Sequence, residues 1–212
     1  MHSFLFELGT EELPDNVILP AIEYLENSLR DTLQSSSLGF TGFNAASTPR
    51  RLALMVDGLP ARQEDVEIQK TGPALSIAYT AEGQLSPAGL GFLKKTGATR
   101  DDIFTEHSPK GDFLAVRFTQ RGKSCQDILT AWIPSAIMQM PLPKRMIWKD
   151  RNLGFSRPIR WIVALWDEEV LDLDFYGIKA SRYSYGNRFL NPEQPVLIKD
   201  CGHYEDAMLN AR

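Results

Sequence analysis

The sequence predicts an α+β fold, with mixed, largely antiparallel sheets carrying packed helices. Two stretches, one from Pro14 to Leu33 and one from Ser124 to Ile137, repeat apolar residues at helical spacing. Each stands alone between groups of shorter strand-like runs, which is the order of α+β layers and not of repeating βαβ units. With 212 residues, 43% hydrophobic and 24% charged, the chain has an ordinary globular composition and can bury a sizeable core.

Taken in order, Ser3 to Leu8 alternates weakly and reads as a first strand, broken by Gly9-Thr10. In the first helix Val17, Ile18, Ala21, Ile22, Leu25, Leu29 and Leu33 form one apolar stripe. Pro14 suits its first turn, where a missing N–H costs nothing. Pro20 inside the pattern predicts a kink or a later start, and Ser35–Gly42 ends the helix. Arg51–Val56 and Val66–Lys70 read as strands. Ser86-Pro87 is a cap and first-turn pair for a short helix through Lys95, closed by Gly97. Gly89 and Gly91 weaken that helix. Pro109–Asp112 supplies a turn before the alternating strand Phe113–Thr119. Ser124 caps the second long helix, whose stripe runs Cys125, Ile128, Leu129, Trp132, Ile133, Ala136 and Ile137 through Pro134, and Pro141 and Pro143 end it. Strand-like runs follow at Arg145–Trp148, Pro158–Trp166 and Val170–Phe175, the last two joined by Asp167-Glu168-Glu169 as a hairpin. His203–Arg212 reads as a helix starting where the sequence stops, as in a piece of a longer protein.

Several function classes find no support. No apolar run approaches the ~18 residues that span a bilayer. The opening MHSFLFELGTEELP lacks the basic region of a signal peptide. Cys125 and Cys201 read as reduced thiols of a cytoplasmic protein, with a disulfide as the lesser alternative. Neither phosphate-cradling glycine motif is present, and there is no nucleophile elbow. The histidines His2, His107 and His203 are scattered, so no metal site is expected. Glu7, Glu11 and Glu12 form a carboxylate cluster, with capping of the first helix set against acid/base or Mg²⁺ chemistry, and capping is the expectation. No catalytic residue is assigned.

Charge is uneven. The chain carries a net charge of -4, and residues 1–43 hold seven acids against Arg30 alone. Pro143–Trp161 instead carries Lys144, Arg145, Lys149, Arg151, Arg157 and Arg160 against Asp150, interleaved with Trp148, Phe155 and Trp161. Guanidinium groups among indoles suit a polyanion whose bases can stack. An amphipathic strand pair, with tryptophans inward and cations in water, suits the same pattern. Arg50 and Arg51, delivered by the Thr48-Pro49 turn, read either as a phosphate fork or as partners of the acidic first helix. Arg182, Tyr183, Tyr185, Asn187, Arg188 and Phe189 form a further basic-aromatic group around Gly186. The RNA-binding candidates are therefore Arg50, Arg51, Lys144, Arg145, Lys149, Arg157, Arg160, Arg182 and Arg188. If RNA is met, the acidic opening is expected to face elsewhere.

Six motifs are more specific: Phe6–Pro14 (FELGTEELP), Thr48–Ala53 (TPRRLA), Lys70–Ala74 (KTGPA), Leu142–Met146 (LPKRM), Phe155–Trp161 (FSRPIRW) and Gly186–Leu190 (GNRFL). In kind and order they resemble the beta subunit of the bacterial tetrameric glycyl-tRNA synthetase. Ile147 and Asn187 depart from that family, which often has Arg and His there. The resemblance implies an alpha-2 beta-2 enzyme joining glycine to its tRNA with ATP, the ATP and Mg sites lying on the alpha subunit and no cofactor in this region. Its implied partners are the alpha subunit and tRNA(Gly), with no membrane. A family beta subunit is much longer, so the chain is expected to be an N-terminal part lacking the HD-like and anticodon-binding regions. Residues 1–200 would form a domain like the B3/B4 domain of the phenylalanyl-tRNA synthetase beta subunit, and residues 201–212 the start of a following helical segment. The implied role is non-catalytic tRNA binding and assembly, with a purely structural protein-interaction domain as the alternative. Glycine is the smallest amino acid, so a tight pocket excludes its competitors and no hydrolytic editing centre is expected.

Overall fold

A computed structural model describes residues 1–148, 153–188 and 194–211. In chain order the elements are β1 (His2–Thr10), α1 (Asp15–Ser35), β2 (Gly42–Thr48), β3 (Arg51–Leu59), β4 (Val66–Ala74), α2 (Leu75–Ala78) and α3 (Pro87–Thr96). There follow β5 (Ile103–Ser108), β6 (Gly111–Gln120), α4 (Cys125–Gln139), β7 (Met146–Trp148), β8 (Leu153–Phe155) and β9 (Ile159–Trp166). The last are β10 (Glu169–Val170), β11 (Asp174–Phe175), β12 (Ile178–Ser181), β13 (Tyr183–Tyr185), β14 (Pro195–Leu197) and α5 (Tyr204–Asn210). The α+β class with mixed and antiparallel sheets is thus observed. Among the described residues no helix is long and apolar enough to cross a membrane.

The chain divides into two compact units, residues 1–63 with 123–212, and residues 64–122. The first is built on a seven-stranded sheet ordered β11-β12-β9-β1-β3-β2, with β10 on β9. β1 lies antiparallel between β3 and β9, while β12 joins β9 in parallel, which makes the sheet mixed. Successive side chains of a strand face opposite ways. Phe4, Phe6 and Leu8 accordingly pack on α1 and α4, and Leu5 packs on the other face with Ala53, Val163, Leu165, Ile198 and Tyr204. The central strand is therefore buried on both sides, and the weak alternation in its sequence follows from that.

α1 buries Val17, Ala21, Ile22, Leu25, Leu29 and Leu33, close to the expected stripe, and runs through Pro20 without ending. Each larger apolar side chain so buried contributes about 1.5–3 kcal/mol. Ser124 caps α4, its Oγ accepting from Asp127 N–H at 3.3 Å. Trp132 of α4 lies edge-on to Phe4 and Phe6 and donates its indole N–H to Ser28 of α1 at 3.0 Å. The two long helices and β1 thus close one core.

The second unit is a three-stranded sheet ordered β4-β6-β5 with α2 and α3. Ser86 caps α3 and Gly97 closes it at φ 75°, as the sequence predicts. Gly89 is there because a Cβ would come within 2.5 Å of the Ala78 carbonyl oxygen. Val170–Phe175, expected as one strand, forms two short pieces instead, β10 and β11. The terminal helix occupies Tyr204–Asn210.

Candidate functional site

On the face of the sheet away from α1, Arg51, Gly9 and Trp161 form one row across β3, β1 and β9. A Cβ on Gly9 would come within 1.9 Å of the Trp161 ring, so only glycine lets the indole lie across the central strand. The indole N–H then reaches Glu7, two residues back on the same face, at 2.5 Å.

Glu7 is fully buried, and four groups converge on it. Its Oε1 accepts from Trp161 and from Ser184 Oγ at 2.6 Å, and its Oε2 accepts from the Tyr204 hydroxyl. Arg51 Nε lies 3.2 Å from Oε2, and the other end of the guanidinium donates to the Tyr185 carbonyl. Burial, aided by the Glu7 charge, pushes the Tyr204 hydroxyl above its ordinary range, so it keeps its proton and donates. Through this carboxylate β1 holds β3, β9, β13 and α5 together.

Beside that row, the Thr10–Leu13 turn is gripped from two sides. Thr10 N–H donates to Arg50 O at 2.9 Å and Leu13 N–H to Pro49 O at 2.7 Å, while Glu11 N–H donates to Pro158 O at 3.0 Å. Arg50 Nε reaches Thr10 O at 3.4 Å, and Arg157 Nε donates to Glu12 O at 3.0 Å. Arg160 pairs with Glu11 at 3.2 Å, and Arg188 pairs with Glu12 at 3.4 Å and approaches Glu11 at 4.0 Å. Four of the six motifs, FELGTEELP, TPRRLA, FSRPIRW and the described part of GNRFL, therefore meet at one place.

They border a cavity of about 870 Å³. Its wall includes Trp161 and Tyr185, whose ring centroids are 4.9 Å apart at 57°, with the Arg50 guanidinium 5.8 Å from the indole. Met55 and Met208 add apolar surface, and Asp15, Glu205, Asn187 and Arg188 add polar groups. Among the described residues no group of three or more His, Cys, Asp or Glu side chains is placed to hold a metal ion.

The structure therefore brings Arg50, Arg51, Arg157, Arg160 and Arg188 together and leaves other candidates elsewhere. Arg51 is largely buried against Glu7, which is on a strand and not on the first helix. Arg145 donates to the Met138, Met140 and Gly154 carbonyls, binding the end of α4 to β8. Arg182 donates to Glu168 O at 2.7 Å and Lys199 O at 3.3 Å. Lys144 is exposed, and Lys149 lies outside the described residues.

Glu11 and Glu12 were expected to cap α1, and this is corrected. The N-cap is Pro14 with no side-chain hydrogen bond, the acid of the first turn is Asp15, and both glutamates turn to arginines instead. The acidic opening accordingly shares a surface with the cations and does not face away from them. Sequence reasoning missed Glu7 as a separate site. The signal was its place between Leu5 and Gly9 on one face of an otherwise apolar strand.

The family model described as "Glycyl-tRNA synthetase beta subunit" matches residues 4–212. Among relatives, the glycine–tRNA ligase beta subunit of Clostridioides difficile is 40% identical over 94% of this chain. Those of Hahella chejuensis and Gloeothece citriformis are 36% and 37% identical over 98% and 100% of it. The chain spans only 29–30% of the length of these relatives. A match along nearly the whole chain, together with four motifs meeting at one site, leads to one conclusion: this chain belongs to the glycyl-tRNA synthetase beta subunit family.

Proposed function

We propose that the chain is a tRNA-binding and assembly region of a glycine–tRNA ligase beta subunit, without chemistry of its own. The parent enzyme would join glycine to tRNA(Gly) in the cytoplasm, with ATP and Mg²⁺ at an alpha subunit. The observation that carries the reading is the meeting of Arg50, Arg157, Arg160 and Arg188 beside the Trp161–Tyr185 cavity. Surface ion pairs such as Arg160–Glu11 contribute at most about 1 kcal/mol, so phosphate oxygens can replace those carboxylates at small cost. Planar guanidinium groups match phosphate geometry, and aromatic faces take bases of any sequence. The mixed sheet with its two long helices on one face supports a B3/B4-type domain like that of the phenylalanyl-tRNA synthetase beta subunit.

The second reading is a purely structural domain. It is favoured by Arg51, Arg145 and Arg182, whose guanidinium groups are engaged by protein carbonyls or by Glu7. Salt dependence separates the two. Each phosphate contact contributes about 0.7–0.9 to the slope of log affinity against log salt. Replacing Lys144, Arg157 and Arg160 together by Ala should lower the slope for tRNA(Gly) by about 2 or more. An unchanged slope would establish the structural reading.

A further inference from the structure

We propose that the cavity takes one unpaired nucleotide of the bound RNA. Its base lies on the Tyr185–Trp161 wall with its amino edge toward Asp15 and Glu205, and its phosphate is at the rim near Arg50 and Arg188. The inference rests on the RNA reading above and names what that site holds. Size comes first. About 870 Å³ falls within the roughly 300–1,000 Å³ of small-molecule sites, enough for a nucleotide and too little for a duplex.

Charge decides the orientation. Among the lining arginines Arg51 is largely buried and paired with the buried Glu7, whereas Arg188 is exposed and meets surface carboxylates, so a phosphate is received at Arg188 and not at Arg51. Asp15, Glu12 and Glu205 on the lining would repel one. The anion is thereby left outside, and the uncharged part of the nucleotide enters.

Aromatic geometry fits that part. The indole is buried, seated on Gly9 and tied through its N–H to Glu7, so it is a fixed backing that holds the Tyr185 ring without reordering. The half-buried Tyr185 ring and the Arg50 guanidinium give the surface that a base can reach. Carboxylates only accept hydrogen bonds, so Asp15 and Glu205 select a base edge rich in donors. Guanine sets its N1–H and amino group side by side for one carboxylate, whereas uracil offers a single N–H.

The test uses 5′-GMP and 5′-UMP with the intact chain, read by saturation-transfer NMR and calorimetry. Transfer to the guanine H8 is expected, with weaker binding of UMP. Tyr185→Leu keeps apolar packing on Trp161 but removes the aromatic face, and should weaken GMP by about tenfold. Asp15→Asn, at an exposed position, should bring GMP and UMP closer together. Absence of GMP transfer, GMP binding unaffected by Tyr185→Leu, or equal wild-type binding of GMP and UMP would each overturn the proposal. The mononucleotide result is independent of the tRNA slope, so failure of this inference is distinguishable from failure of the RNA reading.

Discussion

Glu7 and Gly9 show how two residues of one strand can hold a site. Gly9→Ala would set a methyl against the indole at a distance no real contact allows, and the ring would have to leave its seat. Overpacking of this kind costs about 1–3 kcal/mol, so a urea titration should show the loss, and the Trp161–Glu7 hydrogen bond should break. Glu7→Gln keeps the shape but leaves Arg51 without its counter-charge in a largely buried position. Removing one partner of a buried pair costs about 3–5 kcal/mol, toward the lower end here because Arg51 is not wholly enclosed. Changing Arg51→Met as well should recover part of that loss, since an apolar replacement no longer needs a charge. A double variant no more stable than Glu7→Gln alone would show that Arg51 is held by its Tyr185 contact and not by Glu7. The sequence displayed the Glu7 carboxylate but grouped it with Glu11 and Glu12. Strand alternation and the row pairing on the sheet separate them, and both depend on knowing β1's neighbours.

At the scale of elements, the long helices were legible because their stripes repeat over many turns and their ends carry Ser124, Pro141 and Pro143. β2 was not legible. Its sequence GFNAAST is an edge strand with mostly exposed residues, so no apolar alternation marks it. β10 to β14 are two to four residues long, too short for a period to be read. Arg145 illustrates a related blind spot, since beside Lys144 in a basic run it reads as an RNA-contacting cation. It serves as a clamp, donating to the Met138 and Met140 carbonyls, which the end of α4 leaves unpaired, and to the Gly154 carbonyl of β8. Arg145→Ala should therefore lower stability by about 1–2 kcal/mol, a charged hydrogen-bond loss reduced by solvent exposure. It should leave the tRNA salt slope unchanged, whereas Arg160→Ala should do the reverse. Thermal unfolding and the slope, measured on both variants, check the two halves separately.

For the whole molecule, the division at Gln63 and Lys123 escapes sequence reading because no Pro- or Gly-rich linker announces it. The first unit holds those ends side by side, Gln63 N–H donating to Lys123 O at 2.9 Å and Lys123 N–H to the Gln63 side chain at 3.0 Å. This unit also contains the groups that set its response to alkali. Burial pushes the Cys125 thiol from 9.0 up to about 12. Burial, reinforced by the Asp167 charge, pushes Cys201 up to about 12. Tyr204 is raised above its ordinary 10.0 by burial and by Glu7. Each group binds its proton more tightly folded than unfolded, so above its ordinary value the unfolded chain releases protons that the native chain retains. Stability therefore falls as pH rises there. The contribution is complete below pH 9.0 and is lost between 9.0 and about 12 for the cysteines, with Tyr204 adding to the loss from 10.0 upward. The urea midpoint should be level near about pH 8 and decline steadily above about pH 9. Replacing both cysteines by Ala should make the decline shallower and delay its onset toward the tyrosine range. A midpoint that stays level to about pH 11 in the unaltered chain would show that these three side chains reach water in the native state, contrary to their packing around Glu7, Leu165 and α4.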